Sequence, residues 1–327
     1  MNNFNRDILI IGTGITGSHY SYLFNKFIKY NSSKCNITIF DKASKLGGRI
    51  TSSYYKNQPV FNLGFKYKKL DKNIKDLYTE YNPNICFTDL FKKNILRKGI
   101  HFNSKVTDIN YVNRKYSKQW EVTINNNSKY YFDIIVSTIQ VPQLLQINGN
   151  FIDNFDYILK KQLNTVKYNS IFSLGLLYPQ SVNIFEKCNI ALKYDPILSW
   201  IYLESLNINN IDYNKIILHS TAEWCKDNYN VKSNHIEKYM TLRLNNHLNH
   251  LNHLNSINPS YSKLMRWKYA NVCDNSELYS YYNTPAILTN NILPFIIAGD
   301  SVCGSNLNNC LLSSFKAFEL SRKIILN

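Results

Sequence analysis

Residues 7–17 read Asp-Ile-Leu-Ile-Ile-Gly-Thr-Gly-Ile-Thr-Gly, and this stretch decides the fold. The four apolar residues after the aspartate are typical of a buried parallel strand. Gly12, Gly14 and Gly17 follow in the spacing Gly-x-Gly-x-x-Gly. In such a loop Gly12 permits a tight turn, Gly14 lets backbone N–H groups approach a pyrophosphate, and Gly17 lets a helix pack on the strand. The positive end of that helix would then face the phosphates.

The residues that follow complete one β-α-β unit. A helix-like stretch runs from Ser18 to about residue 30, and a second, alternating strand over 36–40 ends at Asp41. An acid at this point would accept hydrogen bonds from the hydroxyls of an adenosine ribose. Because strand, glycines, helix and acid occur in the required order, we predict a dinucleotide-binding domain rather than a glycine turn without a ligand.

The composition bounds the class of protein. The chain has 327 residues, of which 44% are hydrophobic, enough for two domains or for one large domain with an insertion. Lys and Arg number 38 and Asp and Glu 22, which gives a net charge of +16. Lys and Asn are abundant throughout, as in the run 125–127, so we do not take this charge as a sign of nucleic-acid binding.

Cysteine usage and hydropathy indicate the compartment. The seven cysteines are scattered and form no C-x-x-C pair, which argues against a disulfide framework or a zinc ribbon and fits a reducing compartment. No apolar run approaches the roughly 20 residues of a membrane span, and the N-terminus lacks the pattern of a signal peptide. We therefore expect a soluble, cytoplasmic protein without nucleic-acid or membrane partners, and the oligomeric state stays open.

The order of the other elements predicts an α/β fold with an inserted second domain. Buried strands are expected at Phe132–Ser137 and Pro294–Ala298, and a closing helix at Leu311–Ile325. We predict a Rossmann-like domain with a parallel sheet, formed by residues 1–70, 100–145 and 263–327. The inserted α+β substrate domain, with a mixed or antiparallel sheet, would take residues 71–99 and 146–262.

The segment after Asp41 distinguishes FAD from NAD. Two consecutive glycines in Leu46-Gly47-Gly48-Arg49 let the backbone pass close to a cofactor, and Arg49 can bring a fixed cation to its phosphates or flavin end. This combination resembles the flavin amine oxidase group of FAD enzymes, and within it the renalase family. Further similar segments follow in order along the chain: Asn62–Tyr67, Val106–Asn110, Phe132–Thr138, Arg266-Trp267 and Gly299-Asp300.

The resemblance implies FAD as the cofactor. Its contacts would carry over to Gly12, Gly14, Ile15, Thr16, Gly17, Asp41, Lys42, Gly48, Arg49, Lys66, Tyr67, Val106, Thr138, Gly299, Asp300, Asn309, Cys310 and Leu311. The same resemblance implies that the start of the last helix places N–H donors near the N1/O2 edge of the flavin. A helix N-terminus there would favour the negative charge of reduced flavin.

Three differences from the family pattern concern the substrate pocket. Tyr67 and His101 are only 34 residues apart, where family members carry a longer stretch. Asn308-Asn309 stands in place of an acid and a glycine before the last helix, and Lys66 in place of a glutamine. FAD binding is compatible with all three differences.

By resemblance, the expected reaction oxidises isomeric dihydronicotinamide dinucleotides (2- or 6-dihydro-NAD(P)) to NAD(P)⁺. Hydride passes to flavin N5 and O₂ is reduced to H₂O₂, so the partners are a small dinucleotide substrate and O₂. Such a transfer needs no catalytic acid or base, and we assign no certain catalytic residue; Tyr67, Trp267 and Lys268 are candidates for a place near the flavin. Two alternatives stay open: an amine oxidase, with Lys268 beside N5, or an FAD-binding protein that has lost turnover.

Other reactive side chains have plainer interpretations. At most two of His247, His250 and His253 can share one helix face, so we expect a solvated face and no metal site. His219 lies in an apolar strand and is expected in the core. Cys303 and Cys310 are interpreted as small buried thiols.

Overall fold

The computed structural model describes residues 6–31, 35–64, 99–114, 117–179, 188–247, 258–273, 277–289 and 292–326. The strands are β1 (Arg6–Ile11), β2 (Cys35–Phe40), β3 (Ser52–Tyr55), β4 (Gln58–Asn62), β5 (Ile100–His101), β6 (Val106–Arg114), β7 (Ser117–Ile124), β8 (Ser128–Phe132), β9 (Ile134–Ser137), β10 (Tyr168–Pro179), β11 (Cys188–Ala191), β12 (Leu198–Ile208), β13 (Ile211–Ser220), β14 (Tyr261–Val272), β15 (Ala286–Leu288) and β16 (Phe295–Ala298). The α-helices are α1 (Ile15–Asn31), α2 (Val141–Leu144), α3 (Tyr157–Thr165), α4 (Ala222–Asn228), α5 (Ser233–His247), α6 (Glu277–Tyr282), α7 (Asp300–Cys303) and α8 (Leu307–Leu326).

The chain divides into two compact units. The first comprises Met1–Gly48, Lys69–Lys167 and Asn271–Asn327, and the second comprises Arg49–Lys68 and Tyr168–Ala270. The first unit is an α/β structure and the second is built on an antiparallel sheet, so the predicted fold class is confirmed. The predicted domain boundaries remain predictions. Within the described ranges, no helix is both long and apolar enough to cross a bilayer.

The first unit is organised by a six-stranded sheet in the order β15-β16-β9-β1-β2-β5. All its pairings are parallel except that of β15 with β16. Central parallel strands are covered on both faces, which is why the chain supplies nearly continuous apolar runs. Ile8, Ile10, Ile134, Val136 and Ile296 accordingly have exposed fractions of 0%.

Helices α1 and α8 pack together over this sheet. Phe24 and Phe27 of α1 form ring contacts with Phe318 of α8, with centroids 6.1 and 5.9 Å apart. Burial of each phenylalanine contributes about 1.5–3 kcal/mol. Helix α8 begins at Leu307, four residues before the predicted start, because Asn306 caps it: the Asn309 N–H donates to Asn306 Oδ1 at 2.8 Å.

A three-stranded antiparallel sheet, β6-β7-β8, also belongs to the first unit. Trp120 of β7 is fully buried, and its Nε1–H donates to the carbonyl of Pro294 at 3.1 Å. The indole also packs edge-on against Phe295, with centroids 5.7 Å apart. Trp120 is one of the side chains that join the small sheet to the central one; Phe40 of β2, whose ring contacts Phe132 of β8, is another.

The second unit carries a five-stranded sheet in the order β11-β12-β13-β10-β14. The pairings of β11 with β12, β12 with β13 and β10 with β13 are antiparallel. Helix α5 covers one face with Ile236, Met240 and Leu244, which recur every four residues and are fully buried. On the other face the ring of Phe61 from β4 lies directly against Gly175, where a Cβ would come within 2.7 Å of the ring.

Candidate dinucleotide site

The loop between β1 and α1 makes the tight turn that its glycines predict. Gly12 has φ of +99°, a conformation that favours glycine, and its N–H donates to the Phe40 carbonyl at 2.9 Å. A Cβ on Gly17 would lie 2.1 Å from the Gly12 carbonyl oxygen, so α1 can approach the loop only with glycine there. Thr138, just after β9, closes the turn by donating from Oγ1 to the carbonyl of Ile11 at 2.9 Å.

Gly14 borders open space. A Cβ built on this residue meets no atom of the described residues within 4 Å. The turn at Gly47 and Gly48 lies beside it: the Gly47 N–H donates to the Thr13 carbonyl at 3.0 Å, and a Cβ on Gly48 would lie 3.4 Å from Gly14 Cα. Two side-chain-free turns and the N-terminus of α1 thus frame one space. This arrangement fits a pyrophosphate, which needs close backbone approach and a positive helix end.

Asp41 at the end of β2 is tied to the glycine loop. Its Oδ2 accepts hydrogen bonds from Thr13 N at 2.6 Å and Thr13 Oγ1 at 2.5 Å, while Oδ1 accepts from Ala43 N at 2.7 Å. A carboxylate has about four acceptor positions, so one position on Oδ1 has no bond among these. The neighbouring Lys42 does not take part in this contact with the loop. Its Nζ donates to Gln143 Oε1 at 2.6 Å. Partial burial lowers the pKa of Lys42, although the charge of Asp41 opposes the shift.

A second group of predicted residues meets where α1, α7 and α8 begin. The Oγ1 of Thr16 donates to the Cys310 carbonyl at 3.4 Å, and a Cβ on Gly299 would lie 3.7 Å from that same Oγ1. Gly299 N–H donates to Ser313 Oγ at 2.7 Å. Asp300 is nearly buried, and its Oδ2 accepts from Ser305 Oγ at 2.7 Å. Residues nearly 300 positions apart in the chain are therefore neighbours in the first unit.

Several residues that were predicted to contact the cofactor make contacts within the protein itself. The Asn309 N–H donates to the side chain of Asn306, the N-cap residue of α8, and the Asn309 side-chain amide donates to the Cys303 carbonyl. Leu311 is 2% exposed and belongs to the same hydrophobic cluster that Ile15 packs against, and Val106 is buried at the start of β6. The cap at Asn306 was missed from the sequence, although asparagine is a preferred N-cap residue.

Three residues predicted to lie near the cofactor belong to the second unit: Trp267 and Lys268 are on β14, and Arg49 contacts it. The Arg49 guanidinium donates to the backbone carbonyls of Tyr269, at 3.3 Å, and Ala270. Trp267 donates from Nε1 to the Leu63 carbonyl at 3.1 Å. Lys268 is exposed, with Nζ 5.6 Å from the centroid of the Tyr269 ring. Lys66 and Tyr67 lie outside the described residues.

His247 lies at an exposed position of α5, as expected for a solvated face, and its ring also contacts a carboxylate. Its Nε2 lies 2.5 Å from Asp195 Oδ2, which also accepts from Arg243 Nε at 2.6 Å. Burial alone would raise the pKa of Asp195, but hydrogen bonds from Leu198, His247, Ile197 and Arg243 outweigh it and lower the pKa. Within the described ranges, no three His, Cys, Asp or Glu side chains are grouped to hold a metal ion. His250 and His253 lie outside those ranges.

The remaining reactive side chains are buried as expected. His219 is 2% exposed, with its ring 4.8 Å from that of Trp200. Cys303 donates from Sγ to the Gly299 carbonyl at 3.3 Å, and burial raises the pKa of its thiol. Cys310 is 6% exposed.

A parallel sheet with a glycine loop, together with a second unit on an antiparallel sheet, is the arrangement of a Rossmann-type α/β fold. Residues 10–81 match the family model of the NAD(P)-binding Rossmann-like domain. A putrescine oxidase double mutant redesigned in its cofactor binding superposes with a TM-score of 0.65 at 8% identity, covering 98% of this chain and 99% of that one. A protein from Pyrococcus furiosus gives a TM-score of 0.53 at 13% identity, covering 96% and 97%. At these identities the likeness concerns the fold.

The sequence comparison is more specific. Renalase from Mus musculus is 22% identical over 357 residues, which cover 97% of this chain and 99% of that protein. The chain is similar to renalase along nearly its whole length, and the resemblance predicted from its motifs is confirmed.

Proposed function

We propose that this protein is an FAD-dependent oxidase that oxidises isomeric dihydronicotinamide dinucleotides to NAD(P)⁺ and forms H₂O₂ from O₂. The observation that carries the proposal is the open space at Gly14, framed by Gly48 and the start of α1, in a chain that is similar to renalase over 97% of its length. The pattern of glycines before and after β2 supports FAD, whose pyrophosphate needs such a space.

The residues of the first unit have separate tasks in this proposal. Backbone N–H groups of the loop from Gly12 to Gly17, with the positive end of α1, would hold the pyrophosphate. Asp41 would accept from the ribose, either on Oδ1 or in place of the Thr13 hydroxyl. Gly299 and Asp300 would border the cofactor where α7 begins, close to Thr16.

When bound, FAD supplies the acceptor for a hydride at N5 and passes the electrons to O₂. The chain then needs only to bind and orient the donor, because a dihydropyridine that loses hydride becomes an aromatic cation without proton transfer. No acid or base of this chain is therefore given a catalytic role.

The binding step is tested by filling the open space. Gly14→Leu adds a side chain that meets no described atom within 4 Å for its Cβ, so the protein should fold yet fail to retain flavin. Ser128→Leu, which adds the same side chain at an exposed position of β8, is the matched control. The wild type and the control should be yellow with a flavin absorbance spectrum, and Gly14→Leu should be colourless. A colourless wild type that FAD cannot reconstitute would refute the proposal.

The donor is tested by anaerobic reduction. Dihydronicotinamide isomers should bleach the flavin of the wild type, and admission of O₂ should restore the colour with release of H₂O₂. An amine oxidase is the second candidate, because the fold is shared with putrescine oxidase; bleaching by amines alone would favour it. Bleaching by neither class of donor would favour a flavin-binding protein without turnover.

A further inference from the structure

The guanidinium of Arg49 donates to the backbone of β14. Its Nη1 donates to the carbonyl of Tyr269 at 3.3 Å and to the carbonyl of Ala270. Ala270 is 3% exposed, and the carbonyl of a residue buried this deeply needs a donor. In the described part of its sheet β14 is the outermost strand, so no further strand supplies donors along one of its edges. Arg49 is thus bonded to the protein's own backbone, whereas the sequence predicts it at the phosphates or the flavin end of the cofactor.

Two further contacts join the same part of the chain to β14. Trp267 donates from Nε1 to the Leu63 carbonyl at 3.1 Å. The next residue, Gly64, lies against the backbone of Arg49, where a Cβ on Gly64 would come within 2.1 Å of the Arg49 carbonyl oxygen. All these contacts lie within the second unit. The residues on either side of the hairpin β3–β4 therefore both bind β14, between positions 267 and 270.

We propose that Arg49 is a positioning residue for the hydride donor: its guanidinium holds the end of β14 in place and does not bind the phosphates of the cofactor. The inference rests on the proposed function and on the prediction that Trp267 and Lys268 of β14 lie near the flavin. A guanidinium suits this task, because its rigid fork carries several N–H donors and stays charged at every ordinary pH. Side chains that are held in place before the donor arrives lose less entropy on binding, and the affinity for the donor rises accordingly.

The same strand offers a matched control. Arg266, next to Trp267, donates through its two Nη atoms to the carbonyls of Tyr229 and Val231. Its guanidinium lies 5.1 Å from the centroid of the Phe172 ring, on the face of the sheet that α5 covers. Neighbouring side chains of a strand point to opposite faces, so Arg266 and Trp267 act on different sides of β14. Arg266→Met therefore removes guanidinium–carbonyl bonds of the same kind without touching the hairpin β3–β4.

The experiment compares Arg49→Met, Arg49→Lys and Arg266→Met with the wild type. The readouts are the FAD dissociation constant at low and high salt, the dissociation constant of 6-dihydro-NAD from anaerobic flavin reduction, the thermal midpoint, and amide hydrogen exchange over 267–271.

Arg49→Met should weaken binding of the donor about tenfold, the equivalent of one or two hydrogen bonds, and speed exchange at the end of β14. Its FAD affinity should stay within about twofold of the wild type at both salt concentrations, because no contact with a phosphate is lost. Arg49→Lys keeps a charged donor on a shorter side chain and should bind 6-dihydro-NAD about threefold more weakly than the wild type. Arg266→Met should lower the thermal midpoint but leave donor binding unchanged.

The outcomes separate the two proposals. If the wild type binds no FAD, or if 6-dihydro-NAD does not reduce its flavin, the proposed function is overturned and the positioning role with it. If the wild type is reduced and Arg49→Met binds the donor equally well, only the positioning role is overturned.

Two other results would also overturn the positioning role alone. One is a loss of FAD affinity in Arg49→Met together with a weaker dependence on salt, which would make Arg49 a phosphate ligand. The other is a loss of donor affinity in Arg266→Met as large as that in Arg49→Met. Should Arg49→Met not fold, Arg49→Lys carries the test, because its donor affinity must fall while its FAD affinity stays unchanged.

Discussion

Thr13 donates twice to a single oxygen of Asp41. Its backbone N and its Oγ1 lie 2.6 and 2.5 Å from Asp41 Oδ2, so two hydrogen bonds join the loop to the end of β2. The hydroxyl occupies an acceptor position that a ribose hydroxyl would use. The hydrogen bond from the Thr13 hydroxyl to Asp41, which stabilises the free protein, therefore competes with a ribose hydroxyl of the proposed ligand.

Thr13→Val should separate these two effects. The substitution keeps the shape of the side chain and the N–H donor but removes the hydroxyl. The free protein should lose about 1 kcal/mol of unfolding free energy, as for a hydrogen bond to a partly exposed charged acceptor. FAD should bind more tightly by a small factor, since Oδ2 is released. Urea unfolding and flavin fluorescence titration measure the two quantities, and weaker FAD binding would contradict the competition.

Gly17→Ala should destabilise the protein far more than Gly14→Ala. A Cβ at residue 17 would lie 2.1 Å from the Gly12 carbonyl oxygen and 2.8 Å from Thr138 Oγ1, so the helix or the loop must move. The expected loss is about 1–3 kcal/mol, typical of overpacking, against less than 1 kcal/mol at residue 14. Denaturant unfolding of the two variants gives the comparison. Equal stabilities would show that the close approach of α1 to the loop is not required.

His19 should make stability fall as the solution becomes acidic. Its pKa is about 3 in the folded chain against 6.5 for an unperturbed histidine, so below pH 6.5 the unfolded chain binds a proton that the folded chain does not. Stability from this group is complete above pH 6.5 and decreases down to about pH 3, by roughly 4 kcal/mol in all. Unfolding free energies of the wild type and His19→Gln over pH 3–7 should diverge in slope. Parallel curves would exclude a buried neutral histidine.

The pH dependence of stability that arises from Asp195 should appear only in stronger acid than the dependence that arises from His19. Because its pKa is lowered in the folded chain, its ionised form stabilises the protein above the unperturbed value of 3.8, and this stability is lost as the pH falls through the folded pKa. Asp195→Asn keeps the shape but cannot accept as an anion from Arg243 and His247. It should cost about 2 kcal/mol near pH 7, a reasonable figure for charge-assisted bonds that are partly exposed.

The control for this prediction is Glu121→Gln, which alters an ion pair whose lysine is largely exposed. Its effect should stay below about 1 kcal/mol. If Asp195→Asn and Glu121→Gln were equally mild at neutral pH, the four hydrogen bonds to Asp195 would have little energetic weight. Thermal or urea unfolding between pH 2 and pH 7 provides the measurement.

The parts of the fold that were predictable are those that local pattern determines. The strand before Gly12, the turn itself and the approach of α1 at Gly17 follow from apolar runs and glycine spacing, because each depends on neighbours within a few residues. The parallel sheet follows from the same runs, since buried strands require apolar side chains on both faces.

Contacts between distant segments were not predictable in the same way. His247 and Asp195 are 52 residues apart, and the Arg49 guanidinium finds its carbonyl partners about 220 residues away. The start of α8 was missed by four residues because the periodicity of apolar residues begins later than the cap at Asn306.

The packing of the Phe61 ring against Gly175 limits how the protein can be divided into expression fragments. The hairpin β3–β4 precedes the rest of its unit by more than a hundred residues, yet its aromatic ring covers the sheet formed by Tyr168–Ala270. An expression fragment limited to Tyr168–Ala270 would leave Leu177, Trp200 and Ile217 without that cover and should aggregate. Only a circularly permuted or covalently linked version that restores the hairpin should yield this half of the molecule in isolation.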